Sequence, residues 1–279
     1  MPIVTGQNRI RHPLPIVLSL PAIGETHLRN VGLVDAVDRA SPCACTYSRT
    51  EEPPTRSEIA AMVGLGDQPD WLYLLNEFDA VYRRGSAGGS VVIRGHQRRV
   101  RERLRLILRT QKDLTLRAPE DKPVLVHLGR ALDLSSPGPL AGMARTVVRL
   151  KHLLTWEWGY QQISKDLAKR YAYCEVLGPQ GPVVANSLIL GLVLFAPGTT
   201  YPRHSHTDIE ESYISLGGAW SENDGAVYAP GSLILNRPGH EHRITIGDRE
   251  PCLLAYAWIG PPERLTEPGM KFSNKSRRP

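Results

Sequence analysis

The sequence predicts a mainly β protein with an α-helical N-terminal part: a small closed antiparallel barrel in the C-terminal half, preceded by helices packed on it. Three observations predict this. From Tyr171 to Gly260, short apolar runs such as N-S-L-I-L-G-L-V-L-F-A-P-G and C-L-L-A-Y-A-W-I-G are broken by Gly, Pro and Asn-Asp-Gly, the punctuation of an antiparallel barrel. Between Trp71 and Trp158 the apolar residues recur instead at steps of three and four, as in D-W-L-Y-L-L-N-E-F-D-A-V-Y, which is the helical period. His204 and His206 stand two apart, so on an extended strand their imidazoles leave one face and can converge on one point.

Composition sets the background. The chain has 279 residues, 41% hydrophobic and 22% charged, as in a soluble globular protein. A net charge of +6 permits anion or nucleic-acid binding without requiring either. Cys43, Cys45, Cys174 and Cys252 lack paired metal spacing and read as reduced thiols of a cytoplasmic protein. No run approaches the roughly twenty apolar residues of a membrane span. The stretch R-I-R-H-P-L-P-I-V-L-S-L-P-A imitates a signal peptide, but Pro13, Pro15 and Pro21 interrupt its apolar part.

Four segments follow in order. Residues 1–56 mix prolines and short apolar runs without periodicity and are expected to be a disordered extension, ending in the linker E-E-P-P-T. Residues 57–165 are expected to be helical and to pack on the barrel. Ser57 opens a short capped helix over Ile59, Ala60, Met62 and Val63; Trp71, Leu74, Leu75, Phe78 and Tyr82 line a second, closing at Gly85. In R-G-H-Q-R-R-V-R-E-R-L-R-L-I-L-R, residues Val100, Leu104, Ile107 and Leu108 form one apolar face, so the arginines read as a solvated face rather than a nucleic-acid site. After a loop over Asp133 to Leu140, a last helical run ends near Gly159. Residues 166–262 are the barrel, and 263–279 a basic flexible tail.

The chemistry concentrates between Gly198 and His242. Glu211 adds a carboxylate oxygen to the histidine pair, and His242, after the Pro238-Gly239 turn, adds a third imidazole from a neighbouring strand. Three nitrogens and one oxygen suit a divalent first-row metal, with two positions left for water or substrate if it prefers six ligands. Gly198, five residues, His204-x-His206, four residues, Glu211, six residues and Gly218 together resemble the first motif of the cupin superfamily. Gly231, Pro238 and His242 resemble its second motif more loosely, because Gly239 directly follows the proline.

Tyr201-Pro202 before the histidines, Glu211-x-Tyr213, and A-Y-A-W-I-G at Ala255 to Gly260 resemble the cupin-type dimethylsulfoniopropionate lyases. The flanking P-D-W-L-Y-L-L-N-E-F, A-G-G-S, R-G-H-Q-R-R-V-R-E-R-L and R-A-L-D-L are similar to the longer, DddL-like branch. Four residues separate His206 from Glu211 where several relatives have three, so Glu210 and Glu211 both stand as candidate ligands. Period-two alternation favours Glu211, which shares a face with Tyr213.

The resemblance implies a carbon–sulfur lyase that cleaves a zwitterionic small molecule to dimethyl sulfide and acrylate. It implies one divalent transition metal, Fe, Zn, Mn or Ni, with Tyr213 as the base and Tyr201 orienting substrate or assisting proton transfer. Tyr256 and Trp258 alternate onto one strand face and would wall the sulfonium; His240, two before His242, would stand beside the ligands. No nucleic-acid or membrane partner is expected, and a homo-oligomer is compatible with the sequence. Two other readings are a cupin oxygenase or isomerase on another small carboxylate and a ligand-responsive transcription regulator, since fold and ligands do not fix the reaction.

Overall fold

Successive side chains of a strand go to opposite faces of its sheet, and here one sheet is buried on both. The structure, a computed structural model, describes residues 61–159 and 163–272, all within the contact unit Glu52–Pro279. The expected extension over 1–56 lies outside the described residues.

The first part runs β1 (Ala61–Gly64), α1 (Pro69–Arg84), α2 (Val91–Thr110), β2 (Asp113–Leu116), α3 (Leu128–Ser135), α4 (Ala141–Leu150) and α5 (Leu167–Arg170). The barrel follows: β3 (Tyr171–Gly178), β4 (Val183–Val184), β5 (Ile189–Phe195), β6 (Thr200–Ser205), β7 (Glu210–Gly217), β8 (Trp220–Glu222), β9 (Val227–Tyr228), β10 (Leu233–Asn236), β11 (His242–Ile246) and β12 (Cys252–Ile259). Last come α6 (Pro262–Thr266) and β13 (Lys271–Phe272). The barrel strands make a six-stranded sheet, β10-β7-β12-β5-β3-β4, and a five-stranded sheet, β13-β6-β11-β8-β9.

Every residue of β5 is buried. Leu190, Leu192 and Leu194 join the core made by the helices with Trp71, Phe78 and Leu104, whereas Ile189, Val193 and Phe195 pack inside the barrel with Tyr201, Trp220 and Ile244. The helices therefore cover the outer face of the six-stranded sheet, and the inner face is left for the pocket. At the barrel corner Gly218 has φ 83, and a Cβ there would meet the Pro251 carbonyl oxygen at 2.2 Å, so only glycine fits.

Several expected segments take other forms. The described part of the helix expected from Ser57 is the strand β1, paired antiparallel with β2; a tertiary pairing partner overrides local propensity, and Gly64 and Gly66 deny the helix room to extend. Helix α3 runs into the loop expected from Asp133, ending at Ser135. Helix α4 stops at Leu150, short of Gly159: Trp156 N–H donates to the Glu120 carbonyl (2.8 Å), and Glu157 and Tyr173 exchange backbone hydrogen bonds (2.8 and 3.0 Å). The segment expected to be a flexible tail from 263 carries most of α6 and all of β13, and β13 pairs with β6 at His204 and Ser205. Its polar composition hid a short edge-strand pairing made by backbone groups.

Four of the seven arginines of α2 are engaged within the chain. Arg101 and Arg105 pair with Asp79 (3.1 and 3.2 Å), Arg99 with Glu210 (2.5 Å), and Arg103 donates to the Ser187 carbonyl (2.9 Å).

Because Leu192 links the helices to the outer sheet face, Leu192→Ala should destabilise the protein by about 2–5 kcal/mol. In urea titrations the helical circular dichroism and the tryptophan fluorescence should shift together. Two separated transitions would instead place the helices outside the barrel's cooperative unit.

Candidate metal centre

Strands β6 and β11 meet in register at His204 and His242, His206 follows directly after β6, and β7 brings Glu211 across from the other sheet. All four side chains are buried, and one ligand atom from each lies within 4.8 Å of the others. With its proton on Nδ1, His204 donates to the Pro202 carbonyl (2.9 Å) and His242 to the His240 carbonyl (3.2 Å). That tautomer turns each Nε2 lone pair inward, the orientation a metal-binding imidazole needs.

Glu211 is held from behind. Its Oε1 accepts hydrogen bonds from the Tyr213 hydroxyl (2.5 Å) and the Trp258 indole N–H (2.7 Å). Its Oε2 faces His242 Nε2 at 2.8 Å and His206 Nε2 at 3.3 Å. Yet among the described residues Glu211 Oε2, His242 Nε2 and both ring nitrogens of His206 have no hydrogen-bond partner. Buried polar atoms left this way cost about 1–3 kcal/mol each. Lone pairs converging without donors between them are what a cation would satisfy, so the residues present fit a divalent metal.

Electrostatics agree. Burial, and then the neighbouring His242, push His204 down to about 4, so it is neutral and able to ligate. Burial alone would lower His242 as well, but the Glu211 carboxylate outweighs it and raises that imidazole. For Glu211, burial is outweighed in turn by His206 and His242, which hold the carboxyl well below its usual range. Burial and then the Glu211 charge push the Tyr213 phenol well above its usual value.

The register places Glu211, and not Glu210, among the histidines. Glu210 lies on the outer face, bonded to His96 Nδ1 (2.9 Å) and Arg99 (2.5 Å). His96 Nε2 continues to Ser212 Oγ (2.8 Å), which meets the Tyr82 hydroxyl (2.9 Å), tying α1 and α2 to β7.

His204 and Glu211 of the cluster line a cavity of about 510 Å³. Tyr201, Tyr213, Tyr256 and Trp258 all line it; the Trp258 ring stands 4.6 Å from that of His206, and Tyr201 5.1 Å from that of His204. His240 is a correction: its side chain is exposed and meets Asn236 Oδ1 (3.2 Å), and only its carbonyl reaches the site. It sits in the turn before β11, where strand alternation does not apply. Sequence reasoning missed Tyr171, Tyr173 and Phe195, which form another wall, and Met270 and Phe272 of the last segment, which cover it. Alternation within Y-A-Y-C-E and I-L-G-L-V-L-F carries the signal for the first three.

Residues 96–254 match a family model described as dimethylsulfoniopropionate lyase. A Cereibacter sphaeroides protein provisionally named dimethylsulfoniopropionate lyase DddL is 63% identical over 78% of this chain and 94% of its own length. Among solved structures, the DMSP lyase DddQ from Ruegeria pomeroyi DSS-3 is similar at 21% identity and TM-score 0.56, covering 75% of this chain and 99% of that one. A chain from the crystal structures of the DMSP lyases RdDddP and RnDddQII gives 19%, 0.53, 74% and 99%. The structural likeness shows the fold, a two-sheet β-barrel preceded by helices.

Trp258→Phe removes one donor to Glu211 and should weaken metal affinity by about 10–100-fold, read by competition with a chelating dye; unchanged affinity would remove the indole from the account. Glu210 gives a separate test. The His96 hydrogen bond, then Arg99, hold its carboxyl down at about 2 against burial. A depressed carboxyl stabilises the fold above the unfolded value, about 4.3, and that contribution is lost as pH falls from there to about 2. Glu210→Gln should thus lower the urea midpoint at pH 7, with the gap to the parent closing as the pH falls below that value, while metal stoichiometry is kept.

Proposed function

The chain belongs to the dimethylsulfoniopropionate (DMSP) lyase family, and on that premise we propose that its barrel pocket splits DMSP by β-elimination, with Tyr213 as the base. The enzyme is a carbon–sulfur lyase. His204, His206, Glu211 and His242 are the proposed ligands of one divalent transition metal, Fe, Zn, Mn or Ni. One observation carries the reading: the Tyr213 hydroxyl lies 2.5 Å from the Glu211 carboxylate of the proposed ligand set, in an aromatic cavity that His204 and Glu211 also line.

DMSP is a propionate with a dimethylsulfonium group on its β-carbon, and the α-proton of a carboxylate is very weakly acidic. A divalent ion held by the four side chains would supply Lewis-acid withdrawal of charge from the substrate carboxylate and offset the Glu211 charge that keeps the Tyr213 phenol protonated. With its own hydroxyl proton first released to solvent, the Tyr213 phenolate then takes the α-proton. The C–H electron pair becomes the π bond between the α- and β-carbons. The β-carbon–sulfur bond breaks with its pair on sulfur, giving neutral dimethyl sulfide and acrylate, and the proton stays on Tyr213.

Tyr201, tilted against Tyr171 (4.6 Å between ring centres) with its hydroxyl 3.4 Å from that of Tyr171, orients the substrate beside His204. The rings of Tyr256 and Trp258 exclude water and attract the sulfonium by cation–π interaction, worth ~0.5–2 kcal/mol. Arg99, Arg101, Arg103 and Arg105 of α2 have partners within the chain, which leaves that helix less positive charge to offer a nucleic acid. Among the described residues no helix is long and apolar enough to cross a membrane.

Tyr213→Phe keeps the ring and deletes the hydroxyl. It should retain stoichiometric metal and lower kcat by about two to four orders of magnitude. Release of dimethyl sulfide within a few-fold of the parent would show that Tyr213 is not the base.

A further inference from the structure

At the far side of the cavity from the histidines stands a carboxylate that the mechanism above does not use. We propose that Glu175 is the counter-ion for the cationic end of the substrate, so that the pocket selects a zwitterion bearing an onium group over a neutral chain of the same shape. This rests on reading the pocket as the DMSP site.

The sheet register places the residue. Glu175 of β3 pairs with Gly191 of β5, Gly191 with Tyr256 of β12, and Tyr256 with Tyr213 of β7. Paired residues share a face, and Glu175, Tyr256 and Tyr213 all line the cavity. Neighbouring strands lie about 4.8 Å apart. The row therefore sets a base at one end, an aromatic floor in the middle and a carboxylate at the other.

Gly191 makes the row continuous. A Cβ on it would lie 2.5 Å from Tyr256 Cε1 and 2.2 Å from the Cys174 carbonyl oxygen. Without one, the Tyr256 ring lies across β5 toward β3, where it meets the edge of the Tyr173 ring at 6.4 Å. A cation resting on this floor has Glu175 beside it.

The charges around Glu175 leave a place for a cation. Glu157, Arg117, Tyr173 and Tyr256 face it. Arg117 is committed to Glu157 Oε1 (2.6 Å) and the Gln180 carbonyl (3.0 Å), so its guanidinium is already engaged with the neighbouring carboxylate. Glu175 Oε1 accepts from the Gln180 N–H (2.8 Å), which fixes its direction but adds no positive charge. No ion pair engages Glu175 among the described residues. Burial pushes its carboxyl up to about 7 despite the backbone donors Gln180 and Gly181, and an arriving cation favours the ionised form.

The test is calorimetric binding of two unreactive acids to the metal-loaded full chain: 3-(trimethylammonio)propionate, which carries the cation, and 4-methylpentanoate, a neutral match for the DMSP skeleton. The parent should prefer the cation by about tenfold or more, and Glu175→Gln should bring the two affinities close to equal while 4-methylpentanoate binding stays within about twofold. Glu175→Asp, which keeps the charge, should keep the preference. Metal content of each variant shows that the other end of the site is intact. An equal preference in the parent and Glu175→Gln, or loss of both ligands alike, would overturn the proposal. Absence of dimethyl sulfide release by the parent would count against the lyase reading alone, and the ratio of affinities would still decide the role of Glu175.

Discussion

The six-stranded sheet is buried on both faces, and that constraint decides everything at the site. Along β7, Glu211 and Tyr213 point into the barrel, while Glu210 and Ser212 point toward the helices. A slip of one residue would exchange the two sets, placing Glu210 among the histidines. What prevents the slip is the commitment of both faces. The outer groups bond His96, Arg99 and, through Ser212, Tyr82; the inner ones bond each other and Trp258. The helices thus act on the chemistry by fixing the register of the strand that carries it.

The same packing makes the site costly in the absence of a cation. Among the described residues, lone pairs of His206, Glu211 and His242 face one another without donors between them, in surroundings where unsatisfied groups are expensive. Outer partners such as Pro202, His240 and Trp258 nevertheless hold the rings and the carboxylate in place, which is preorganisation at the expense of stability. Glu211 serves two ends here. One oxygen faces the histidines, and the other accepts the Tyr213 proton donor, so ligand set and proposed base are coupled through a single carboxylate.

Much of this was legible in the sequence, for a definable reason. His204-x-His206, Glu211 and Tyr213 lie close together along the chain, where period-two alternation translates directly into a shared face. His242 came from its place after a Pro-Gly turn. Alternation marks Tyr171 and Tyr173 as sharing one face of β3, but only the pairing of β5 with β3 and with β12 joins them and Phe195 to the wall that Tyr256 occupies. His240 failed because alternation was carried across a turn, and β1 because a strand partner some fifty residues away outweighed a helical-looking run. Phe272 was hidden by the composition of its segment, although two paired residues suffice to bring it within 6.0 Å of the His204 ring.

The claim at the centre is that this pocket, with its three histidines and one glutamate loaded with metal, eliminates dimethyl sulfide from DMSP. Headspace gas chromatography on purified metal-loaded protein, with acrylate measured in the same vessel and the assay repeated after chelation, addresses it directly. The account requires equimolar dimethyl sulfide and acrylate, lost on chelation and restored with metal. Stoichiometrically loaded, folded protein that releases neither product from DMSP would contradict it.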